Sequence, residues 1–209
     1  MRQIGVMGLL LLAVQGPVDG QARVVAVNET EIPRFLAGLQ ARHVLFDSLI
    51  LAQLESAGIT VIAPGVTAAT WQRVRDSLGG YYDRFSGRVV AEKYQAVEAG
   101  TLAALRRDYH VTAWIRPLVA EVRAPFRGRT ARWSGVEEGS GWGIGDGFLP
   151  ALTLIVPVFD SAGSSVLAGT GGIQIVLKAD GEAPPLLKDT SRIARAVRLA
   201  MGPVLLMLR

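Results

Sequence analysis

The residue types best suited to recognition chemistry are concentrated in residues 123–142. This segment contains four arginines and three large aromatic residues: Arg123, Arg127, Arg129, Arg132, Phe126, Trp133 and Trp142. Arginine pairs with carboxylate or phosphate through two parallel hydrogen bonds, and arginine and tryptophan often dominate interface energetics. We therefore predict that Arg127, Arg129, Arg132, Trp133 and Trp142 contact a partner. In the alternative interpretation, the tryptophans pack back on their own domain and the arginines are only solvated.

Hydrolytic chemistry has few candidate residues, because His43 and His110 are the chain's two histidines. A serine hydrolase needs a histidine beside a nucleophilic serine, oriented by a carboxylate. The sequence has no Gly-x-Ser-x-Gly motif, and Ser140 in Gly139-Ser140-Gly141 is the nearest approach to one. We predict a non-enzymatic protein and keep a hydrolase that uses His110 as the alternative.

Metal and cofactor chemistry is not expected. The sequence has no cysteine, no His-Glu-x-x-His motif and no Asp-rich calcium loop. Glu137 and Glu138 are adjacent, so on a strand they point to opposite faces and cannot share one ion. The glycine-rich segment Gly139 to Gly147 lacks the Lys-Ser/Thr ending of a phosphate-binding loop. Gly169, Gly171 and Gly172 fall in a predicted strand, where they indicate a bulge.

A second loop, residues 79–87, combines Tyr81, Tyr82, Asp83, Arg84 and Phe85. Exposed tyrosines there would suit partner binding. In the alternative interpretation, one tyrosine closes the edge of the domain while Asp83 accepts hydrogen bonds from the turn backbone.

The hydrophobic pattern predicts the elements that must position these residues. Strands are predicted over 23–28, 59–63, 111–122, 151–159 and 165–177, and helices over 44–57, 67–78, 90–107 and 187–208. Thr67 or Thr70 would cap the second helix, and Pro203 would end or kink the last one. Residues 125–147 suggest an extended hairpin or surface loop. The fold class is α/β, a single layered domain with a mixed β-sheet of about five or six strands and helices packed on it.

The start of the chain resembles a secretory signal peptide, Met1 to Ala22. Arg2 precedes an uncharged stretch, Ile4 to Val14, and Gly20-Gln21-Ala22 has small residues where a signal peptidase cleaves. An apolar stretch this short does not span a membrane. We expect a domain over residues 23–209, with no transmembrane span after cleavage and a periplasmic or secreted location.

The composition narrows the range of partners. The formal net charge is +4, which permits weak attraction to anionic envelope surfaces. The sequence lacks an aromatic-basic stacking pattern, so nucleic acid is not expected as a partner.

The last helix has Arg192, Arg195 and Arg198 on one side. This pattern is typical of a helix that packs on the sheet or of one that lies on a membrane surface.

The order of elements resembles the TolB amino-terminal and CsgG-like envelope proteins. The segment Asp47 to Leu54, followed by Gly58-Ile59-Thr60-Val61-Ile62, is similar to their helix-strand unit. Residues Tyr109 to Leu118 resemble the next such unit, and the Leu152 to Val176 hairpin resembles the later strands. The resemblance implies an envelope role such as complex assembly or accessory binding. A CsgG-like pore is not expected, since residues 125–147 are too charged for membrane-spanning strands.

These observations predict an exported accessory or binding protein of the bacterial cell envelope that acts through contacts with an envelope protein or complex. A carrier of a small anionic ligand is a further alternative, which would need a concave pocket lined by the arginines.

Overall fold

The computed structural model describes residues 23–40, 42–141, 145–177 and 189–209. Its strands are β1 (Val24–Val27), β2 (Thr60–Ile62), β3 (Ala113–Ile115), β4 (Leu118–Arg127), β5 (Thr130–Trp133), β6 (Val136–Gly139), β7 (Asp146–Asp160) and β8 (Ser165–Ile175). Its helices are a 3-10 turn (Arg34–Leu36), α1 (Ala37–Gln40), α2 (His43–Ser56), α3 (Pro64–Ser77), α4 (Ala91–Tyr109) and α5 (Thr190–Leu208). The predicted signal segment 1–22 lies outside the described residues.

One mixed sheet of eight strands forms the centre of the domain. β1 runs parallel to β2 on one side and to β3 on the other. The long β7 runs antiparallel to β3, β4 and β8. The α/β class predicted from the sequence is confirmed. The predicted strand count was too low, because residues 125–147 contain two further strands.

Helices cover both faces of the parallel strands, because successive side chains of a strand point to opposite sides. Val25 and Val27 of β1 belong to the cluster that includes Phe46 of α2 and residues of α5. Ala26, between them, belongs to a separate cluster with Leu105 of α4. α2 and α5 thus pack on one face, and α4 packs on the other.

Residues 125–147 form hairpins at the edge of the sheet, which confirms the extended hairpin of the two alternatives predicted for this segment. The β4–β5 and β5–β6 hairpins bring β6 towards β8, where Ser134 O accepts the Gly172 N–H at 2.9 Å. Ala131 and Trp133 pack with Ile175 of β8 in a small core under these hairpins.

The glycines of β8 allow a helix to lie against its backbone. A Cβ atom added at Gly169 or Gly171 would lie 1.9 or 2.0 Å from the carbonyl oxygen of Ala200 or Ala196 in α5. The predicted irregularity is also present, since the β7–β8 register shifts between Leu152 and Thr153. These glycines therefore have a structural role.

One predicted helix start was wrong. α3 begins at Pro64. Proline is tolerated at a helix start because the N–H groups of the first turn have no partner within the helix, so no hydrogen bond is lost. Thr67 and Thr70 lie inside this helix, and their hydroxyls donate to carbonyls one turn earlier. α5 ends at Leu208, as predicted, so Pro203 does not end the helix. Pro203 is exposed, and buried Leu208 holds the last turn on the core.

α5 packs on the sheet, as one of the two interpretations of its sequence proposed. Ile193, Val197 and Met201 are fully buried against the main core. Within the part of the chain that the structure describes, no helix is long and apolar enough to cross a lipid bilayer.

Candidate binding surfaces

The β4–β5 hairpin presents the three predicted arginines to solvent. Arg127 pairs with Thr130, so Gly128 and Arg129 form a two-residue turn. Gly128 has a φ of 58°, a conformation that glycine adopts without strain. Arg127, Arg129 and Arg132 are all exposed, and we call them the arginine surface.

The arginine surface retains free donors. Arg132 forms an ion pair with Glu137 across β5 and β6 at 2.8 Å, but both side chains are more than half exposed, which makes such a pair weak. Neither Arg127 nor Arg129 forms an ion pair with a residue that the structure describes. Phe126, Arg127 and Arg132 help to line an open cavity of about 370 Å³. This arrangement can accept a carboxylate with an apolar group beside it.

Trp133 lies beneath the arginine surface and not on it. It is 7% exposed, and its indole Nε1 donates to Leu152 O on β7 at 3.2 Å. Strand alternation explains the difference, since Arg132 points outward and its neighbour must point inward. Trp133 therefore packs on its own domain, as the alternative interpretation proposed. The predicted contact residue Trp142 lies outside the described residues.

The two histidines are far from a triad arrangement. The His43 ring Nδ1 donates to Gln40 O at 2.8 Å. His110 follows α4 in the left-handed conformation, with a φ of 57°, and is exposed. Among the described residues, neither ring is hydrogen bonded to a serine or a carboxylate.

Glu137 and Glu138 point to opposite faces, as predicted. Glu137 meets Arg132 in solvent, whereas Glu138 accepts the Ile175 N–H and pairs with Arg192 of α5 at 2.5 Å. Over residues 23–40, 42–141, 145–177 and 189–209, no group of three or more potential ligands is placed to hold a metal ion.

A cleft that the sequence analysis did not single out lies at the carboxyl ends of β1 and β2. β1 leads into α2 on one face of the sheet, and β2 leads into α3, which packs with α4 of the other face. Such a point, where connections leave in opposite directions, is the usual ligand site of an open α/β sheet. The cavity there measures about 480 Å³, and we call it the switch-point cleft.

Aromatic side chains line one wall of the switch-point cleft: Trp71, Tyr81, Tyr82 and Tyr94. Their ring centres lie 4.7–6.2 Å apart in consecutive contacts. Burial raises the pKa of Tyr81, and its hydrogen bond with Tyr82 adds to the effect. Tyr81 packs against Trp71 and Tyr94. Asp83 accepts the Phe85 and Ser86 N–H groups of the turn, as the alternative interpretation of that loop expected for Asp83.

Arg116 separates the switch-point cleft from a neighbouring cavity of about 360 Å³ on the other side of α4. Its guanidinium pairs with Glu98 and donates to the Tyr94 hydroxyl at 2.9 Å. It also lies 5.1 Å from the ring centre of Trp114 and 5.7 Å from that of Phe159. These contacts fix Arg116 in place.

Sequence reasoning missed this cleft because its residues are far apart in the chain. Arg116 lies between a strand and Pro117 and belongs to no recognisable sequence motif. Its contact with Phe159 depends on the antiparallel pairing of β3 with the distant strand β7, and its ion pair joins it to Glu98 of α4. Two signals were available: the aromatic residues after α3, and the polar residues Glu29 to Glu31 directly after the predicted strand 23–28.

No family model matches the sequence, and no curated protein matches it either. Among solved structures, the chain is similar to the lipoprotein GNA1162 from Neisseria meningitidis. The two share 15% identity with a TM-score of 0.37, over 79% of this chain and 90% of that chain. The chain is thus similar to a bacterial lipoprotein, and the TolB-like and CsgG-like resemblance stays a prediction.

Proposed function

We propose that this is a non-enzymatic accessory protein of the bacterial cell envelope, which binds an acidic segment of a partner protein through its arginine surface. The observation that carries the proposal is the exposure of Arg127, Arg129 and Arg132 on one hairpin. Neither Arg127 nor Arg129 is engaged by a carboxylate of the described chain.

The hairpin suits partner binding because it is supported from below. Trp133 and Ala131 anchor β5 in the small core, so the arginines lie on an ordered hairpin, with Arg127 on β4, Arg129 in the turn and Arg132 on β5. A guanidinium held in this way loses less conformational freedom on binding than one on a flexible loop. The open cavity beside Phe126 offers an apolar contact for the same partner.

The predicted signal segment supports the envelope location. The positive start, the short apolar stretch and the small residues at Gly20 and Ala22 are typical of export. The non-enzymatic part of the proposal rests on the sequence, which has no Gly-x-Ser-x-Gly motif.

The test is crosslinking of the tagged, signal-bearing protein in its native cells, followed by mass spectrometry of the captured proteins. A triple variant, Arg127→Ala, Arg129→Ala and Arg132→Ala, should lose a specific envelope protein that the original chain captures. A matched variant, Arg34→Ala, Arg42→Ala and Arg84→Ala, removes the same charge from other exposed sites and should retain it.

If both triple variants fail to capture the envelope protein, the effect comes from overall charge and the assigned surface is wrong. Recovery of the chain in the cytoplasm with an intact Met1–Ala22 segment would overturn the envelope location.

A further inference from the structure

We propose that the switch-point cleft binds a small free organic cation that carries an alkylated ammonium group. The cleft shares no lining residue with the cavity of the arginine surface. The inference therefore goes beyond the proposed function and does not depend on it.

The two arginines that line the cleft are already neutralised. Arg75 pairs with Asp76 at 2.8 Å, and this carboxylate raises the pKa of Arg75. Arg116 pairs with Glu98 and is held between two rings. Neither arginine is free to attract an anion into the cleft.

Two carboxylates remain to set the charge of the cleft. Glu29 and Glu31 follow β1, line the cavity and are exposed. Neither forms an ion pair with a residue in the described part of the chain. Glu31 is held by its backbone, which bonds to Pro117 O and to the Val119 N–H. The cleft therefore has an uncompensated negative charge on one wall.

The cleft is also lined by aromatic rings, which attract cations. Tryptophan and tyrosine attract an ammonium group that lies within about 6 Å of the ring centre. Trp71 lies 5.4 Å from Tyr94 and 6.2 Å from Tyr81, between ring centres. These rings pack against one another, and an ammonium group would contact those parts of them that line the cleft. An alkylated ammonium suits such a wall best, because its methyl groups are apolar and its charge is spread.

The shape of the cleft fits a small molecule. Its volume of about 480 Å³ lies within the usual range for ligand pockets, roughly 300–1,000 Å³. A lining that combines carboxylates with aromatic rings discriminates by charge and not by size alone. This property distinguishes the cation from a neutral molecule of the same shape.

The experiment is isothermal titration of the full chain with choline and with its neutral isostere, 3,3-dimethyl-1-butanol. We expect choline to bind with a Kd below about 1 mM, and the isostere to bind about tenfold more weakly or worse. The double variant Glu29→Gln, Glu31→Gln should weaken choline binding about tenfold. Tyr82→Ala, which removes a half-exposed ring, should weaken it about threefold.

Matched controls change the same residue types elsewhere. Glu121→Gln on β4 and Tyr109→Ala at the end of α4 alter exposed side chains outside the cleft and should leave choline binding unchanged. Equal binding of choline and its isostere, or no binding of choline below 1 mM, would overturn the proposal. Binding of phosphatidylcholine vesicles without binding of free choline would also overturn it, in favour of a lipid surface.

Discussion

The Asp47 carboxylate of α2 accepts two hydrogen bonds from Thr30, one from its backbone N–H at 2.8 Å and one from its hydroxyl at 2.6 Å. Both residues are buried. The pair ties the segment after β1 to the helix that follows it. The segment carries Glu29 and Glu31, so the pair also positions the acidic wall of the switch-point cleft.

Removal of this carboxylate should destabilise the domain. Asp47→Ala leaves the buried Thr30 N–H and hydroxyl without their acceptor, so we expect a loss of about 2–3 kcal/mol in the free energy of unfolding. Asp47→Asn retains one acceptor oxygen and should cost less. Urea unfolding followed by circular dichroism measures both. Equal losses in the two variants would show that the Thr30 contact contributes little.

Glu138 joins three elements and should matter far more than its neighbour. It accepts the Ile175 N–H of β8 at 3.2 Å and pairs with Arg192 of α5. Glu138→Ala should lower the free energy of unfolding by about 2–3 kcal/mol, since it leaves a half-buried arginine and a buried N–H unsatisfied. Glu137→Ala breaks only an exposed pair and should change it by about 0.5 kcal/mol or less. A similar loss in both variants would contradict this assignment.

Gly171 has no room for a side chain. An added Cβ would lie 2.0 Å from the Ala196 carbonyl oxygen, and a helix backbone cannot yield as a side chain can. Gly171→Ala should therefore cost about 3 kcal/mol or more, or prevent folding. Gly139→Ala is the control, because nothing lies within 4 Å of its added Cβ. Thermal unfolding of the two variants compares them, and a Gly171→Ala protein with an unchanged Tm would refute the close approach.

Trp133 should behave as a core residue. Trp133→Ala removes a ring that is 7% exposed and should lower the free energy of unfolding by about 3–5 kcal/mol. Arg132→Ala, one residue away on the outward side, should leave it nearly unchanged. Calorimetric unfolding of both variants tests the assignment. A Trp133→Ala protein with a normal transition and weakened partner capture would restore Trp133 as a contact residue.

Asp83 should make the 79–87 loop sensitive to acid. Its carboxylate accepts the Ser86 N–H and hydroxyl and the Phe85 N–H, which together hold the pKa of Asp83 below its usual range. The stabilisation is complete above the unfolded pKa, near about 3.9, and is lost as the pH falls through the lower folded pKa. An NMR titration of the carboxyl carbon reads this pKa directly. Ser86→Ala should move it upward, and an unchanged value would contradict the assigned cause.

Local patterns in the sequence were sufficient for much of the fold. The alternation in 23–28, the apolar run after Gly58 and the turn at Asp160 to Gly163 gave three elements that the structure confirms. Each depends on interactions within a few residues, which a sequence pattern records directly. Helix starts were less accurate, since Thr67 or Thr70 was predicted to cap the helix that begins at Pro64.

The sequence by itself determined the α/β class, the exposed arginines at the β4–β5 turn and the opposite directions of Glu137 and Glu138. Tertiary structure decided which aromatic residues face solvent, because burial of Trp133 requires β8 and α5 on the other side of the hairpin. It also decided the switch-point cleft. Glu29, Trp71 and Arg116 come together only when β1 pairs with both β2 and β3, and no local pattern encodes pairing between distant strands.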